Sequence, residues 1–419
     1  MERKQLKQNI FYQYGFQIAK YLIPFVTLPY LTRVLGPDAY GVRVYIMAAM
    51  TFVQAAIDFG FMQYGTKVVA LFDDMGMKNS RLDKIFAEIT FAKVLLAILA
   101  AIVLLIISFR IELLRENILY VVIAFSATFL TALLPDFIFM GFNTMKILTT
   151  RYVLSKLIPT VLVFLLIQSS SDLLWVPALD FLAAATAVVV TMRQLKRKYR
   201  LKLYLPSFKG TIDCIKASAP YFIGNVACIV FNSFTIMIVG AYGQSSDVAY
   251  WGLSLNALSV MQALYSPITN ALYPHMLRNR DWRLFFRLSC LSTAALCVAA
   301  VLLYLLSGFV VFLLAGDGYS EAIPVMQSIS PLVVLSFISI LLGLPLMGAV
   351  GLIKSMTQTA VISALIYIVI LCLYVSLFSF DLLVVCTLRV AIEGLFILFR
   401  LASCLLNRES IKNYFRATE

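Results

Sequence analysis

The chain consists almost entirely of apolar stretches, about twelve in number, each long enough to cross a bilayer and joined to the next by a short loop. A helix needs about 20 apolar residues to cross about 30 Å of hydrocarbon. Hydrophobic residues make up 62% of the 419 residues and charged residues 13%, whereas soluble domains average about 45–50% and about 25%. The sequence therefore predicts an all-α polytopic membrane protein without a sizeable soluble domain.

The predicted spans begin and end with the apolar runs. Several of them exceed the minimal length, which indicates tilt or helical extension beyond the membrane. They cover residues 9–35, 40–71, 84–109, 117–142, 152–168, 173–193, 212–240, 247–276, 284–315, 321–350, 356–380 and 382–407.

Basic residues concentrate in alternate loops. The longest polar stretch, 193–216, is rich in lysine and arginine, whereas the neighbouring loops at 168–172 and 243–247 carry neither. Because Lys and Arg collect in cytoplasmic loops, this alternation predicts both chain ends and every even loop on the cytoplasmic side. The same topology accounts for the formal net charge of +13, so we expect no nucleic-acid partner.

The basic stretch divides the chain into two halves of six spans each, residues 1–202 and 203–419. A weak internal sequence repeat relates the two halves. Residues 139–150 contain Phe-Met-Gly followed by a Lys and a Thr, and residues 346–359 contain Leu-Met-Gly followed by a Lys and a Thr. Two repeats around a central site are a common plan of transporters. We therefore expect two six-helix lobes around a central cavity.

Polar residues recur every three or four positions in four of the spans, which places them along one face of each helix. Such groups are costly in lipid and usually face the protein interior or a water-filled cavity. The stripes therefore predict a shared cavity, with hydrogen bonding between helices as the alternative for any single residue. Lys20 and Asp58 either neutralise each other or face a pathway. The stripes comprise Gln13, Gln17, Lys20, Pro24 and Thr27; Thr51, Gln54 and Asp58; Asn225, Cys228, Asn232 and Thr235; and Asn256, Ser259, Gln262, Ser266 and Asn270.

Charged residues in the other spans are fewer and more scattered. Lys93 and Lys156 can snorkel towards the cytoplasmic surface, since a long aliphatic stem lets the ammonium group reach water. Arg389 and Glu393 stand four residues apart on one predicted helix and can pair locally.

No motif points to catalysis, a cofactor or a metal. The chain has one histidine, and its seven cysteines form no Cys-x-x-Cys pair, so a zinc or haem site is not expected. It also lacks a Gly-x-x-x-x-Gly-Lys phosphate loop, which means that it has no ATPase of its own. The sequence predicts a transporter rather than an enzyme, driven by an existing gradient or by downhill use of the substrate.

Two short motifs lie near the start of the chain. Residues 31–41 read Leu-Thr-Arg-Val-Leu-Gly-Pro-Asp-Ala-Tyr-Gly, and residues 58–61 read Asp-Phe-Gly-Phe. In these motifs the chain strongly resembles the polysaccharide-transporter family, which includes the O-antigen flippases. That family belongs to the multidrug/oligosaccharidyl-lipid/polysaccharide exporter superfamily, together with MATE drug exporters and lipid II flippases. The second half of the chain fits the family by architecture only.

The resemblance implies a flippase of the bacterial inner membrane. Its substrate would be an undecaprenyl-diphosphate-linked oligosaccharide, an O-antigen repeat unit or similar, moved from the cytoplasmic to the periplasmic leaflet by alternating access. The implied partners are this lipid-linked glycan and membrane lipids, with the O-antigen polymerase and the chain-length regulator as further candidates. The resemblance implies no cofactor.

The same resemblance assigns roles to residues of the predicted cavity. Cations would face the diphosphate, and amides would replace water around the sugar. Asp58 would hold a cation in place or respond to protonation. The residues assigned to the diphosphate are Lys20, Arg33, Arg43 and Lys93, with Arg33 and Arg43 taken from the motif. The residues assigned to the glycan are Asn225, Asn232, Asn256 and Gln262.

In the family that this chain resembles, the central cavity is often cationic. The polar stripes of this chain are mostly neutral, so its predicted cavity departs from the family in charge. A neutral glycan therefore fits this chain as well as an acidic one. A MATE-type drug or cation exporter on the same scaffold is a rival, but its site would favour acidic and aromatic residues over Lys and amides. An O-antigen polymerase is a rival enzyme, but such chains typically carry a large periplasmic loop, and every outward loop here is short.

Overall fold

The computed structural model describes residues 2–72, 78–199, 204–263, 265–409, 411 and 414. Within these ranges the chain is helical and contains no β-strand. The predicted all-α membrane fold is therefore confirmed. The chain divides into two compact units, Met1–Ile229 and Val230–Glu419. The boundary between six-helix lobes at residues 202 and 203 stays a prediction.

The first unit is built from long helices joined by short turns. Its helices are α1 (Glu2–Asp58), α2 (Phe61–Phe72), α3 (Lys78–Arg110), α4 (Glu112–Glu116), α5 (Ile118–Ala132), α6 (Asp136–Gly141), α7 (Met145–Leu166), α8 (Trp175–Gln194) and α9 (Phe208–Ile229). A 3₁₀ turn precedes α8 at Ser170–Leu174, and a π-helical turn extends α8 at Leu195–Tyr199.

The second unit has the same character. Its helices are α10 (Thr235–Tyr242), α11 (Ser245–Gln262), α12 (Tyr265–Asn279), α13 (Trp282–Leu305), α14 (Ser307–Ala315), α15 (Ala322–Ile329), α16 (Leu332–Leu341), α17 (Ile353–Leu377) and α18 (Leu382–Leu406). Two π-helical turns, Val230–Phe234 and Leu342–Gly348, precede α10 and follow α16.

Most of these helices are long and apolar enough for a bilayer. Among the described residues, nine helices could cross a membrane, or ten if Phe208–Ala227 and Val230–Tyr242 form one broken span. One of the nine, Gly15–Leu71, runs over 57 residues from α1 into α2. That is far longer than one crossing needs. The number of about twelve spans is not confirmed by this count and stays a prediction.

A kink inside α1 lies in the first sequence motif. Gly36 has φ 70° and ψ 175°, a conformation that glycine adopts without steric cost because it has no Cβ. Pro37 follows, and a proline ring removes a helical hydrogen bond. The kink falls between the predicted spans 9–35 and 40–71. The Leu-Gly-Pro-Asp segment therefore encodes the break between the two halves of α1.

The second motif, Asp-Phe-Gly-Phe, forms another break. α1 ends at Asp58 and α2 begins at Phe61, while φ is 39° at Phe59 and 80° at Gly60. The left-handed region is strained for a side chain such as phenylalanine and accessible to glycine. The structure therefore divides the predicted span 40–71 into two helices at this point.

α9 packs against this break within the first unit. The ring of Phe222 stacks on Phe59, with 4.3 Å between the ring centroids. A Cβ on Gly60 would lie 2.7 Å from the carbonyl oxygen of Ser218 and 2.7 Å from Cβ of Tyr221. The glycine of the second motif therefore allows the close approach of α9.

Several other predicted spans are interrupted, in two cases beside a proline. Pro135 precedes α6 and Pro331 precedes α16, positions at which the missing N–H of proline breaks no hydrogen bond of the helix. The other predicted spans that the structure divides into two or more helices are 117–142, 212–240, 247–276, 284–315 and 321–350.

Candidate transport site

Several charged side chains inside the helices of the first unit form ion pairs. Lys93 Nζ on α3 lies 2.9 Å from Asp58 Oδ1 at the end of α1 and also donates a hydrogen bond to the carbonyl oxygen of Ala132. Lys93 is 4% exposed, whereas the side chain of Asp58 is 34% exposed. The expectation that Lys93 snorkels to the surface is wrong, and the partner of Asp58 is Lys93, not Lys20.

Arg151 and Asp136 form the second pair. Both terminal nitrogens of Arg151 donate to the two carboxylate oxygens of Asp136, with 2.9 Å between Nη2 and Oδ2. Nη1 also donates to the hydroxyl of Thr191 at 3.3 Å. Arg151 lies one residue before the predicted span 152–168, and it is buried on α7. This bidentate pair joins α6, α7 and α8, because a fork of two hydrogen bonds fixes direction as well as distance.

A third group of charges lies where α1, α7 and α8 meet. Lys156 Nζ is 2.9 Å from Asp180 Oδ1, and the two side chains are 34% and 33% exposed. Cζ of Arg43 is 5.7 Å from the centroid of the Tyr40 ring, and its guanidinium interacts electrostatically with Asp180 and Tyr120. We call Arg43, Lys156 and Asp180 the cationic cluster, since two positive charges and one negative charge leave it one net positive charge.

The second unit contains a more deeply buried pair. Arg389 Nη1 donates to Glu393 Oε2 at 2.7 Å, and both side chains are 6% exposed. The predicted local pairing of these two residues on one helix is therefore confirmed. The guanidinium carbon of Arg389 lies 5.1 Å from the ring centroid of Phe231, and the hydroxyls of Thr235 and Tyr367 are 2.7 Å apart nearby in the same unit.

The residues assigned to the glycan are mostly exposed. Asn225 on α9, Asn232 in the following π-helical turn and Asn256 on α11 are exposed, while Gln262 at the end of α11 is half-buried. The side-chain nitrogen of Asn256 donates to the carbonyl oxygen of Gly252 at 2.9 Å. The role of these amides in binding a sugar stays a prediction.

The cations assigned to the diphosphate are not all alike. Lys20 and Arg33 on α1 are exposed, and Arg43 is half-buried. Lys93 is already engaged by Asp58. The structure therefore brings together Lys93 with Asp58, and Arg43 with the cationic cluster, while Lys20 belongs to neither group.

Sequence reasoning missed the partners of several charges. Lys156 was expected to snorkel, whereas it is paired with Asp180. Arg400 on α18 received no role, yet it donates to the backbone carbonyl of Ser339 and its guanidinium carbon lies 4.1 Å from the ring centroid of Phe396. The signal available in the sequence was the presence of opposite charges deep in apolar runs, which requires pairing in the fold.

Long apolar helices that carry paired charges in their interior define this chain as a multi-pass membrane protein. Residues 6–280, more than half of the chain, match the family model described as "Polysaccharide biosynthesis protein". The chain belongs to this family.

Comparison with curated proteins gives relatives along most of the chain. It is 24% identical over 348 residues to the "Putative O-antigen transporter" of Escherichia coli (strain K12), covering 82% of this chain and 83% of the relative. It is 22% identical over 369 residues to the protein of the same name from Shigella dysenteriae, covering 87% and 91%.

Solved structures share the fold. The lipid II flippase MurJ in an inward closed conformation matches with a TM-score of 0.73 at 14% identity, covering 98% of this chain and 90% of that chain. An inward-facing MATE family multidrug transporter matches with a TM-score of 0.71 at 13% identity, covering 95% and 100%. The fold is therefore the one shared by these flippases and exporters.

Proposed function

We propose that this chain is a lipid-linked glycan flippase, and that it moves an undecaprenyl-diphosphate-linked oligosaccharide, such as an O-antigen repeat unit, from the cytoplasmic to the periplasmic leaflet. The observation that carries the proposal is the cationic cluster, an excess of positive charge inside membrane-spanning helices of a polysaccharide biosynthesis family member. An unbalanced cation in a span is costly, and such residues mark substrate pathways.

The chemistry of the substrate explains why such charges are needed. A diphosphate and its sugars cannot cross hydrocarbon unaided, whereas a polyprenyl tail can remain in lipid. Arg43 offers a planar fork of donors, which suits a phosphate group better than a point charge does. Lys156 is one third exposed and can exchange its bond to Asp180 for one to a phosphate oxygen, so an anion entering the cluster would be charge-balanced.

The other assigned residues divide by chemistry. Lys20 and Arg33 supply further exposed cations for the diphosphate. Lys93 reaches an anion only by releasing Asp58, so this pair acts as one unit: protonation of Asp58, or a cation beside it, frees Lys93. The amides at Asn225, Asn232, Asn256 and Gln262 replace water around the sugar.

The location follows from the same proposal. The chain lies in the bacterial inner membrane with both termini in the cytoplasm, and lobes 1–202 and 203–419 open alternately to the two sides. The O-antigen polymerase and the chain-length regulator are the partners that receive the translocated glycan.

The test is export in a bacterial strain that lacks its own O-antigen flippase and carries the matching glycosyltransferases. Expression of this chain is expected to restore surface glycan, and without it lipid-linked repeat units accumulate in the inner leaflet. Arg43→Gln is expected to lower export by about tenfold, because one charge-assisted contact to phosphate is lost.

The matched control is Arg115→Gln, which removes the same charge from an exposed position on α4. Equal membrane levels of both variants, measured by immunoblot, exclude a folding defect. Drug efflux without glycan export would contradict the proposed function. Equal export by both variants would contradict the role of Arg43 alone.

A further inference from the structure

A basic groove lies at the end of α8, where the helix leaves the hydrocarbon. The groove has a volume of about 340 Å³, and the described residues lining it are Val190, Arg193, Gln194, Arg197 and Lys198. Val190, Arg193 and Gln194 lie on one face of α8, and Arg197 and Lys198 in the π-helical turn line the same groove. The groove therefore runs along the helix axis, with an apolar side chain at one end and three cations towards the other.

The three cations are available to a ligand. Arg193, Arg197 and Lys198 are exposed, and within the described part of the chain none of them forms an ion pair with a carboxylate. Lys198 Nζ lies 5.4 Å from the ring centroid of Tyr199, a contact that leaves its charge uncompensated. The lining residues that the structure describes include no acid. Cations at the C-terminal end of a helix also stabilise the helix dipole, but that effect needs neither a groove nor a fixed arrangement.

The arrangement is held in place by the π-helical turn that extends α8. Leu195 at its start is buried. Tyr199 at its end stacks on Phe142, with 5.1 Å between the ring centroids, and its hydroxyl is 3.2 Å from that of Thr144. Arg197 lies between these two anchors. The groove is therefore a preformed feature of the fold, and π-helical turns within helices often occur at functional sites.

We propose that this groove binds the headgroup of an anionic glycerophospholipid of the surrounding membrane. The candidate span of α8, Ser170–Tyr199, has 30 residues, or about 45 Å of helix, so its end reaches the headgroup layer. The phosphate lies between Arg193 and Arg197 with Lys198 beside it, and the first acyl carbons lie against Val190. Basic pockets beside membrane helices bind anionic headgroups in this way.

The test is lipid binding by the purified full-length protein in detergent. Phosphatidylglycerol or phosphatidylethanolamine is added, and native mass spectrometry counts the lipids retained. Wild-type protein is expected to keep phosphatidylglycerol and not phosphatidylethanolamine. Arg193→Gln with Arg197→Gln is expected to weaken retention by about tenfold or more, because two cations are removed from the headgroup site.

The matched control is Arg283→Gln with Arg287→Gln, two exposed arginines with the same four-residue spacing on α13. This control is expected to retain phosphatidylglycerol normally. Val190→Trp fills the apolar end without changing charge and is also expected to weaken retention.

Three results would overturn the proposal. The first is equal loss of lipid in both double variants, which indicates diffuse attraction to positive charge. The second is equal retention of the two phospholipids by the wild type. The third is displacement of phosphatidylglycerol by one equivalent of undecaprenyl phosphate in the wild type only, which assigns the groove to a polyprenyl carrier.

Discussion

Asp58 and Lys93 are unequal partners in one ion pair, because Lys93 is 4% exposed and the side chain of Asp58 is 34% exposed. When the partner of a hydrated charge is removed, the charge stays in water and the protein loses little stability. A charge left buried and unpaired is strongly destabilising. The two single substitutions at this pair should therefore have different effects on stability.

Asp58→Ala is expected to lower the free energy of unfolding by about 3 kcal/mol, since it leaves Lys93 buried with only the carbonyl oxygen of Ala132. Lys93→Met is expected to cost about 1 kcal/mol, because Asp58 stays partly hydrated. Thermal unfolding in detergent measures both effects. In the double variant the combined cost should be smaller than the sum of the single costs. Equal single costs or simple additivity would contradict this account.

The position of α9 depends on the Asp-Phe-Gly-Phe break. Phe59 and Gly60 both have positive φ, and together they form the surface on which Ser218 and Phe222 of α9 rest. The ring of Phe59 stacks on Phe222, and Gly60 has no side chain to keep α9 at a distance. The motif therefore positions Asp58 and also provides the surface against which α9 packs.

Gly60→Ala is expected to destabilise the protein by about 2–4 kcal/mol, from strain at positive φ and from forced contacts with Ser218 and Tyr221. Gly224→Ala on α9 is the control, since a Cβ there meets nothing within 4 Å and alanine favours the helix by up to about 1 kcal/mol. Thermal unfolding of the two variants compares them directly. If both glycines tolerate alanine equally well, α9 does not rest on Gly60 as described.

Most helices of the molecule could be predicted from the sequence, whereas the ion pairs that join different helices could not. An apolar run long enough to cross a bilayer identifies a helix locally, and a Gly-Pro pair identifies the kink at Gly36. The partner of Asp58 lies 35 residues away in sequence, and no local pattern selects Lys93 over Lys20. Arg151 lies just outside the predicted span 152–168, and the sequence does not indicate that Asp136 holds it inside the first unit.

Topology is the remaining property that belongs to the whole chain, and single cysteines test it. The turn at Ser170 is expected outside the cytoplasm, and Lys209 at the start of α9 is expected in the cytoplasm, because basic residues flank only the second position. Both side chains are exposed. In intact cells a membrane-impermeant maleimide should label Ser170→Cys, and Lys209→Cys should react only after permeabilisation. The wild type, with its native cysteines, gives the background. Labelling of Lys209→Cys in intact cells would contradict the predicted orientation of the chain and, with it, the proposed direction of transport.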